Sequence, residues 1–397
     1  MLAVSVETVL TLLTLGGLAY LMLALWGARA FVRRWQGGAA LGAARDVTLL
    51  KPVKGVDARM YAGFRSHCLQ EYAGRFEIVF GVSSMDDPAV GEVERLRAEF
   101  PEVEIRLVEC RERLGASGKV SNLVQMLREA RYEHVVINDS DIFVSPRYLE
   151  RVMRGFWNER VGMVTATYLG RTGGRTGGRT GENGSGVTVW SRLEALGIST
   201  DFMPGVLTAR LLEGGIRFGL GSTLATTKTA LAAAGGLEPL ADYLADDYEL
   251  GRRISAAGYL VELCGETVET TVPAYGFKGF WDHQLRWARS TRDSRRWGYI
   301  GLGITYCLPW ALLTVVASGF ALWSFTLLSL VSLARVAVSL VVGVGVLRDG
   351  QVLRDLWLLP VRDCFGLIFW VWSFAGDTVV WRGEVFRLRD GKISLVR

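Results

Sequence analysis

Four short, nearly unbroken apolar runs recur through the first third of the chain: VTLLKPV (47–53), FEIVFGV (76–82), EIRLV (104–108) and HVVIND (134–139). Between them, residues 88–100 and 120–130 carry apolar positions at helical spacing. Strands alternating with helices about every 30 residues predict a parallel sheet of βαβ units, because a parallel neighbour requires a long crossover. Strands buried on both faces read as continuous apolar runs, as these do. Sheets of this kind bind nucleotides outside the carboxyl ends of their strands, so candidate chemistry is sought there.

Longer apolar runs flank this region. Residues 9–28 carry no charge, and Arg29, Arg33 and Arg34 follow at once. Their length matches the roughly 20 residues that cross a bilayer, and basic residues after the run predict an uncleaved anchor with its N-terminus outside. Residues 298–334 are also uncharged, enough with the following stretch for two spans turning near 318–325. A third stretch, 356–381, contains Arg362, Asp363 and Asp377. Each intramembrane charge costs roughly 2.5–3.5 kcal/mol at mid-bilayer, which argues against a simple span there. The tail bears Arg382, Arg387, Arg389, Lys392 and Arg397, predicting a cytoplasmic C-terminus and an even number of crossings. The expected organisation is an anchor (1–35), a cytoplasmic domain (46–297), a membrane region (298–381) and a basic tail (382–397).

Composition agrees with a membrane protein. Half of the 397 residues are apolar and 21% charged, which excludes a disordered chain or a coiled coil. Thirteen Trp suit a membrane–water boundary. A net charge of +5 fits membrane-flanking Lys and Arg better than a nucleic-acid footprint. The five Cys are odd in number and widely spaced, so they are expected as reduced thiols, without a disulfide framework or zinc site. The glycine- and arginine-rich repeat at 171–186 has no apolar side chain to bury and is expected as a surface loop.

Acidic residues stand where strands give way to loops. The second strand ends in Ser83-Ser84-Met85-Asp86-Asp87, the fourth in Asn138-Asp139-Ser140-Asp141. An Asp-x-Asp pair at this edge can hold a hard divalent cation that neutralises a nucleotide diphosphate, although such pairs also cap helices. A third acidic site, Asp246-Asp247, precedes an amphipathic stretch and is also a candidate N-cap. A fourth site, His283-Gln284-Leu285-Arg286-Trp287-Ala288-Arg289, mixes cations and indoles as an interfacial belt does.

The opening Lys51-Pro-Val-Lys-Gly-Val-Asp57, then Asp86-Asp87, Gly118-Lys119, Asp139-Ser-Asp141, Ala234-Gly-Gly-Leu237, Asp246-Asp247, Arg286-Trp287 and the 381–389 tail stand in a distinctive order. In this order they resemble an inverting GT-A-type glycosyltransferase, most closely the ceramide glucosyltransferase family (glycosyltransferase family 21), which includes hopanoid-associated glycosyltransferases. Two features depart from the family pattern: His283 stands where Gln or Arg is usual, and the 171–186 repeat looks like an insertion.

The resemblance implies an α/β fold: a GT-A-type nucleotide-sugar-binding domain with a parallel-rich sheet, plus N-terminal and C-terminal transmembrane helices. It implies that Lys54, Asp86 or Asp87, and Asp139 hold the uridine half of a UDP-sugar, with Lys119 nearby as a cation. Asp141 would hold Mn2+ or Mg2+ against the diphosphate. His283, Gln284, Arg286, Trp287 and Arg289 would serve the diphosphate and the acceptor. Asp247 is the candidate general base, with Asp246 orienting it or raising its pKa. The implied partners are a UDP-sugar, a membrane lipid acceptor and the bilayer, with no nucleic acid and no obligate protein partner. UDP-glucose leads UDP-N-acetylglucosamine and UDP-galactose as donor; ceramide and a hopanoid polyol compete as acceptor, which would enter near 214–220 and Trp281–Trp287. The rival readings are a processive polysaccharide synthase and a non-catalytic membrane protein whose acids cap helices.

Overall fold

In the structure, a computed structural model, residues 2–36, 44–57, 59–173, 186–381 and 384–396 are described. Packing divides the chain into two units. The first comprises Trp35–Gly186, Gly215–Pro273 and Gly391–Arg397; the second comprises Met1–Arg34, Val187–Gly214 and Ala274–Asp390. Residues 187–214 and 274–297, grouped by sequence with the central domain, belong to the unit that holds the apolar helices.

The first unit is built on a seven-stranded sheet. Its strands are β1 (Val47–Pro52), β2 (Phe76–Val82), β3 (Glu104–Glu109), β4 (His134–Ile137), β5 (Val161–Thr172), β6 (Leu224–Thr227) and β7 (Leu260–Val272), in the order β3-β2-β1-β4-β6-β5-β7. The four strands expected from the apolar runs are present and pair in parallel. Strand β6 alone runs the other way, antiparallel to β4 and β5. The carboxyl ends of β1, β2 and β4 therefore share one edge with the amino end of β6. Strands β5 and β7 pair in parallel over their length with a register shift at Ala166/Thr167. Their sequences interleave Thr, Gly and Glu with apolar residues, so neither stands out as an apolar run. Ile78, Phe80 and Val136 from the sheet pack with Phe64, Val93 and Leu96 of the flanking helices in the core.

Two helices bring charged groups to the binding edge. The helix Gly118–Glu129 is capped by Ser117, whose hydroxyl accepts from Val120 N at 3.3 Å, and it carries Lys119 in its first turn. The helix Asp246–Ala256 starts after Ala245, and no side chain caps it. Asp246 and Asp247 lie inside its first turn, where the helix dipole favours their charge; neither serves as the expected alternative, an N-cap.

In the second unit, three helices among the described residues are long and apolar enough to cross a membrane: Val6–Gln36, Leu322–Val346 and Gln351–Ser373. A bent pair, Arg296–Thr305 and Cys307–Ala317, makes a fourth if it counts as one span. The expected turn falls between the helices Cys307–Ala317 and Leu322–Val338. The charges that argued against a span in 356–381 find partners. Asp363 receives two hydrogen bonds from Arg335, at 2.7 and 2.8 Å, and Arg362 pairs with Asp201 at 3.3 Å. Asp377 lies past the helix end at Ser373, and residues 378–381 form strand β8 (Thr378–Trp381), antiparallel to β9 (Glu384–Arg389). All five cysteines are free thiols. Of the 171–186 repeat, residues 174–185 lie outside the described residues, and Arg171 pairs with Glu269 at 2.8 Å.

Candidate active site

Strand β4 ends at Ile137, and the next four residues turn across the sheet edge. Asn138 fastens this turn: its buried amide donates to Tyr148 Oη at 2.9 Å and to Ser222 O, just before β6, at 2.7 Å. Asp139 Oδ1 then meets Lys119 Nζ at 2.8 Å, and the same ammonium reaches Asp246 Oδ2 at 3.2 Å. One lysine thus joins the second and third acidic motifs, whose Asp139 and Asp246 are 107 positions apart in sequence. Burial works against the ammonium, but Asp139 and Asp246 outweigh it and hold Lys119 above its ordinary range.

Asp247 enters the same cluster. A Cβ placed on Gly221 would lie 3.1 Å from Asp247 Oδ2 and 3.6 Å from Asp139 Oδ2, so the two carboxylates converge on this bare backbone. Any side chain at 221 would press on them. The Asp247 carbonyl accepts from Gly219 N at 3.3 Å, and this close approach of helix to loop relies on Gly251, whose Cβ would fall 2.6 Å from Phe218 Cα. Burial, and then the neighbouring Asp246, push the Asp247 carboxyl up to about 6, against the opposing pull of Lys119. A carboxylate in that range is a competent proton acceptor near neutral pH.

Asp141 points its Oδ2 at β7, accepting from Thr270 Oγ1 at 2.6 Å and Thr271 N at 3.1 Å. Burial and the Asp139 charge push its carboxyl up, so its ionised form calls for a further positive charge. Among the described residues no three His, Cys, Asp or Glu side chains form a cation cage. The donor set still suits Mg2+ or Mn2+, which use one or two carboxylates and take their remaining ligands from water and substrate phosphates.

The first acidic motif is split in role. Asp87 Oδ1 accepts from Gly55 N and from Ala89 N, both at 2.9 Å, tying the loop after β1 to the helix after β2. Lys54 is exposed in the tied loop. Asp86 is exposed and contacts Ser84.

Sequence reasoning gave no role to Lys51, quoted only as the start of the opening motif, or to His67. Lys51 is fully buried in β1, with Nζ 3.2 Å from Asp139 O and 3.4 Å from His67 Nε2. Burial pushes its ammonium down to about 7, against the pull of Asp141 and Asp139. A lysine in the middle of an otherwise apolar parallel strand was the available signal, since such a charge needs a buried partner.

The fourth motif lies in the second unit, on the helix Phe277–Ser294. His283 Nδ1 and Gln284 Nε2 donate to Glu194 Oε2 at 2.9 and 3.3 Å. The Trp287 ring lies 4.8 Å from the His283 ring, tilted by 52°. Arg286 is half-buried on the same helix. Arg289, expected at the diphosphate or acceptor, contacts backbone carbonyls in the structure. It is buried, its guanidinium donates to the carbonyls of Thr378 and Ala375, and it anchors the helix to the segment before β8.

The family model for glycosyl transferase family 21 matches residues 9–394. The chain belongs to this family. Among its relatives, ceramide glucosyltransferase 3 of Caenorhabditis elegans is 25% identical over 244 residues, 61% of this chain and 50% of the relative. Ceramide glucosyltransferase 1 of the same organism is 27% identical over 213 residues, 53% of this chain and 42% of the relative. The family 21 chain thus spans about half the length of the relatives it matches. A solved mannosyltransferase of Pyrobaculum calidifontis, in complex with GDP-Man and Mn2+, superposes with a TM-score of 0.53 at 19% identity, covering 93% of this chain and 97% of that one. The family 21 chain therefore has the GT-A glycosyltransferase fold with N-terminal and C-terminal membrane helices.

Proposed function

We propose that this family 21 chain moves one sugar, with inversion, from a UDP-sugar to the hydroxyl of a membrane lipid, with glucose and a ceramide-type acceptor as the leading pair. One observation carries the reading: Asp247, raised to about 6, converges with Asp139 on Gly221 beside the carboxylates that Lys119 bridges. A single displacement needs one base at the acceptor hydroxyl, not the paired carboxylates of a hydrolase, and it inverts the anomeric centre. The curated relatives are ceramide glucosyltransferases, which favours that donor and acceptor.

In this reading Asp247 takes the proton of the lipid hydroxyl as its oxygen attacks the anomeric carbon, and UDP leaves. Negative charge grows on the diphosphate as the glycosidic bond breaks, so a cation beside it lowers the barrier more than it stabilises the ground state. Lys119 supplies one such charge. Mn2+ or Mg2+ held by Asp141 would supply a second, as a Lewis acid on the phosphate oxygens. Asp139, Asp87 and Lys54 bind the nucleoside end, and Arg286 and Trp287 serve the diphosphate and acceptor. In this reading the catalytic residues face the cytoplasm, where nucleotide sugars are found and where a lipid need not leave the bilayer; the basic residues after the anchor support that side.

The deciding assay is UDP release from purified protein, with and without lipid extract, followed by mass spectrometry of the lipid product. Lipid-dependent release with one sugar added supports the reading; a polymer product indicates a synthase, and no release from any donor rejects catalysis. A sugar on a hopanoid polyol in place of ceramide would redirect the acceptor.

Two further outcomes are expected. The rate kcat/KM should rise with pH up to about 6 and then level, because the base works only when ionised. Asp246→Asn removes a charge that holds Asp247 up, so its acidic limb should move to lower pH. Lys119→Met removes the opposing charge and should move the limb to higher pH. A pH–rate series on the three proteins reads both signs. Asp141→Ala should abolish the dependence of UDP binding on Mn2+ in a calorimetric titration; an unchanged titration would reject its ligand role.

A further inference from the structure

Glu194 lies on the helix Val189–Gly197 and is buried, with 3% of its surface exposed. Its helix contributes to an apolar core: Leu193 and Leu196 cluster with Phe280 and Phe369, with Trp190, Trp281 and Leu285 packed against them. A carboxylate here is costly, and an isosteric apolar side chain would serve packing as well or better. The hydrogen bonds it receives among the described residues come from His283 Nδ1 at 2.9 Å and Gln284 Nε2 at 3.3 Å, consecutive residues of the fourth motif. A carboxylate only accepts, so Nδ1 must carry the hydrogen. Two rings complete the seat of the imidazole: Tyr275 at 5.6 Å and Trp287 at 4.8 Å between centroids. The side chain of His283 is 19% exposed, and Nε2 is the ring atom left to meet a substrate.

We propose that Glu194 is a positioning residue: it locks His283 in the Nδ1–H form so that Nε2 accepts a hydrogen bond from a polar N–H or O–H of the lipid acceptor other than the hydroxyl that Asp247 deprotonates. The inference rests on the lipid-glycosylation reading above. It favours the acceptor because His283 and Glu194 belong to the unit that holds the membrane helices, whereas the acids and lysines assigned to the nucleotide lie in the other unit. The Thr188 hydroxyl, which caps the Glu194 helix, also donates to Tyr275 O at 2.7 Å, so the same two segments are clamped a second time. A bond from Glu194 to the motif's first two residues holds the ring against rotation about its side-chain torsions, which lowers the ordering cost when the acceptor arrives.

The test uses the full-length protein in detergent, whose three histidines make the imidazole nitrogens assignable by long-range 1H–15N NMR against His283→Gln. Wild type should show His283 as a single Nδ1–H tautomer. Glu194→Leu, which lowers the melting temperature modestly because the buried Gln284 amide loses its acceptor, should populate both tautomers. It should also raise KM for the lipid roughly tenfold, the scale of one lost hydrogen bond, with KM for the UDP-sugar unchanged. Glu194→Gln keeps an acceptor oxygen and should restore most of the loss. A single Nδ1–H tautomer in Glu194→Leu, or a rise in donor KM in place of acceptor KM, overturns the proposal. Absence of lipid-dependent transfer in wild type would defeat the functional reading instead, and the tautomer comparison would still judge Glu194.

Discussion

Asp247→Asn is expected to reduce sugar transfer by about 100- to 10,000-fold, the usual worth of a positioned general base. The UDP-sugar should still bind, because the bridge from Lys119 to Asp139 and Asp246 does not involve Asp247. The same variant should be more stable than wild type at neutral pH. The folded-state carboxyl sits at about 6, above its ordinary value near 3.8. The folded protein therefore binds more protons than the unfolded chain between those values, and stability falls as pH rises through this window. Asn removes that loss, a gain on the order of 1 kcal/mol for this largely buried carboxyl. The gain should vanish below about pH 4, where both forms of Asp247 are protonated. Turnover near wild type, or a melting temperature lowered at pH 7.5 and unaffected by pH, would show that Asp247 is neither the base nor strained by its charge.

The largest stability effect is expected in the membrane unit. Arg335 and Asp363 are both buried and meet through two hydrogen bonds, while the remaining Arg335 nitrogen donates to Thr200 O at 2.7 Å and Ser339 Oγ at 2.9 Å. Each nitrogen of Arg335 and each carboxylate oxygen of Asp363 has a partner, which is what allows two charges on apolar helices. Arg335→Met strands the Asp363 carboxylate and should cost about 3–5 kcal/mol, seen as loss of the monodisperse peak when the protein is extracted in detergent. The double variant Arg335→Met/Asp363→Leu should recover most of that loss, because apolar side chains of similar volume replace both charges. A single variant as stable as the double would show that the pair contributes nothing in place.

The parallel strands β1 to β4 were legible because a strand buried on both faces leaves a continuous apolar signature, and the helices between them follow from spacing. The acids were legible for a related reason: each follows abruptly on such a strand. Strands β5 and β7 were not legible, because their Thr- and Glu-rich sequences satisfy one another across a long parallel pair that no local pattern announces. The surroundings of Arg289 were not legible, because an arginine in a Trp-rich helix has the same local pattern whether it faces a phosphate or, as here, two backbone carbonyls.

Local sequence determined the apolar spans, the strand–helix alternation and the place of each acid at a strand end, since these depend on residues close together in the chain. Only the tertiary structure decided that Lys119 bridges Asp139 and Asp246, that Gly221 lets Asp139 and Asp247 converge, and that Glu194 seats His283. Those pairings join residues tens to more than a hundred positions apart. Their partners are chosen by which strand ends and helix faces share a layer, and no short-range pattern encodes that choice.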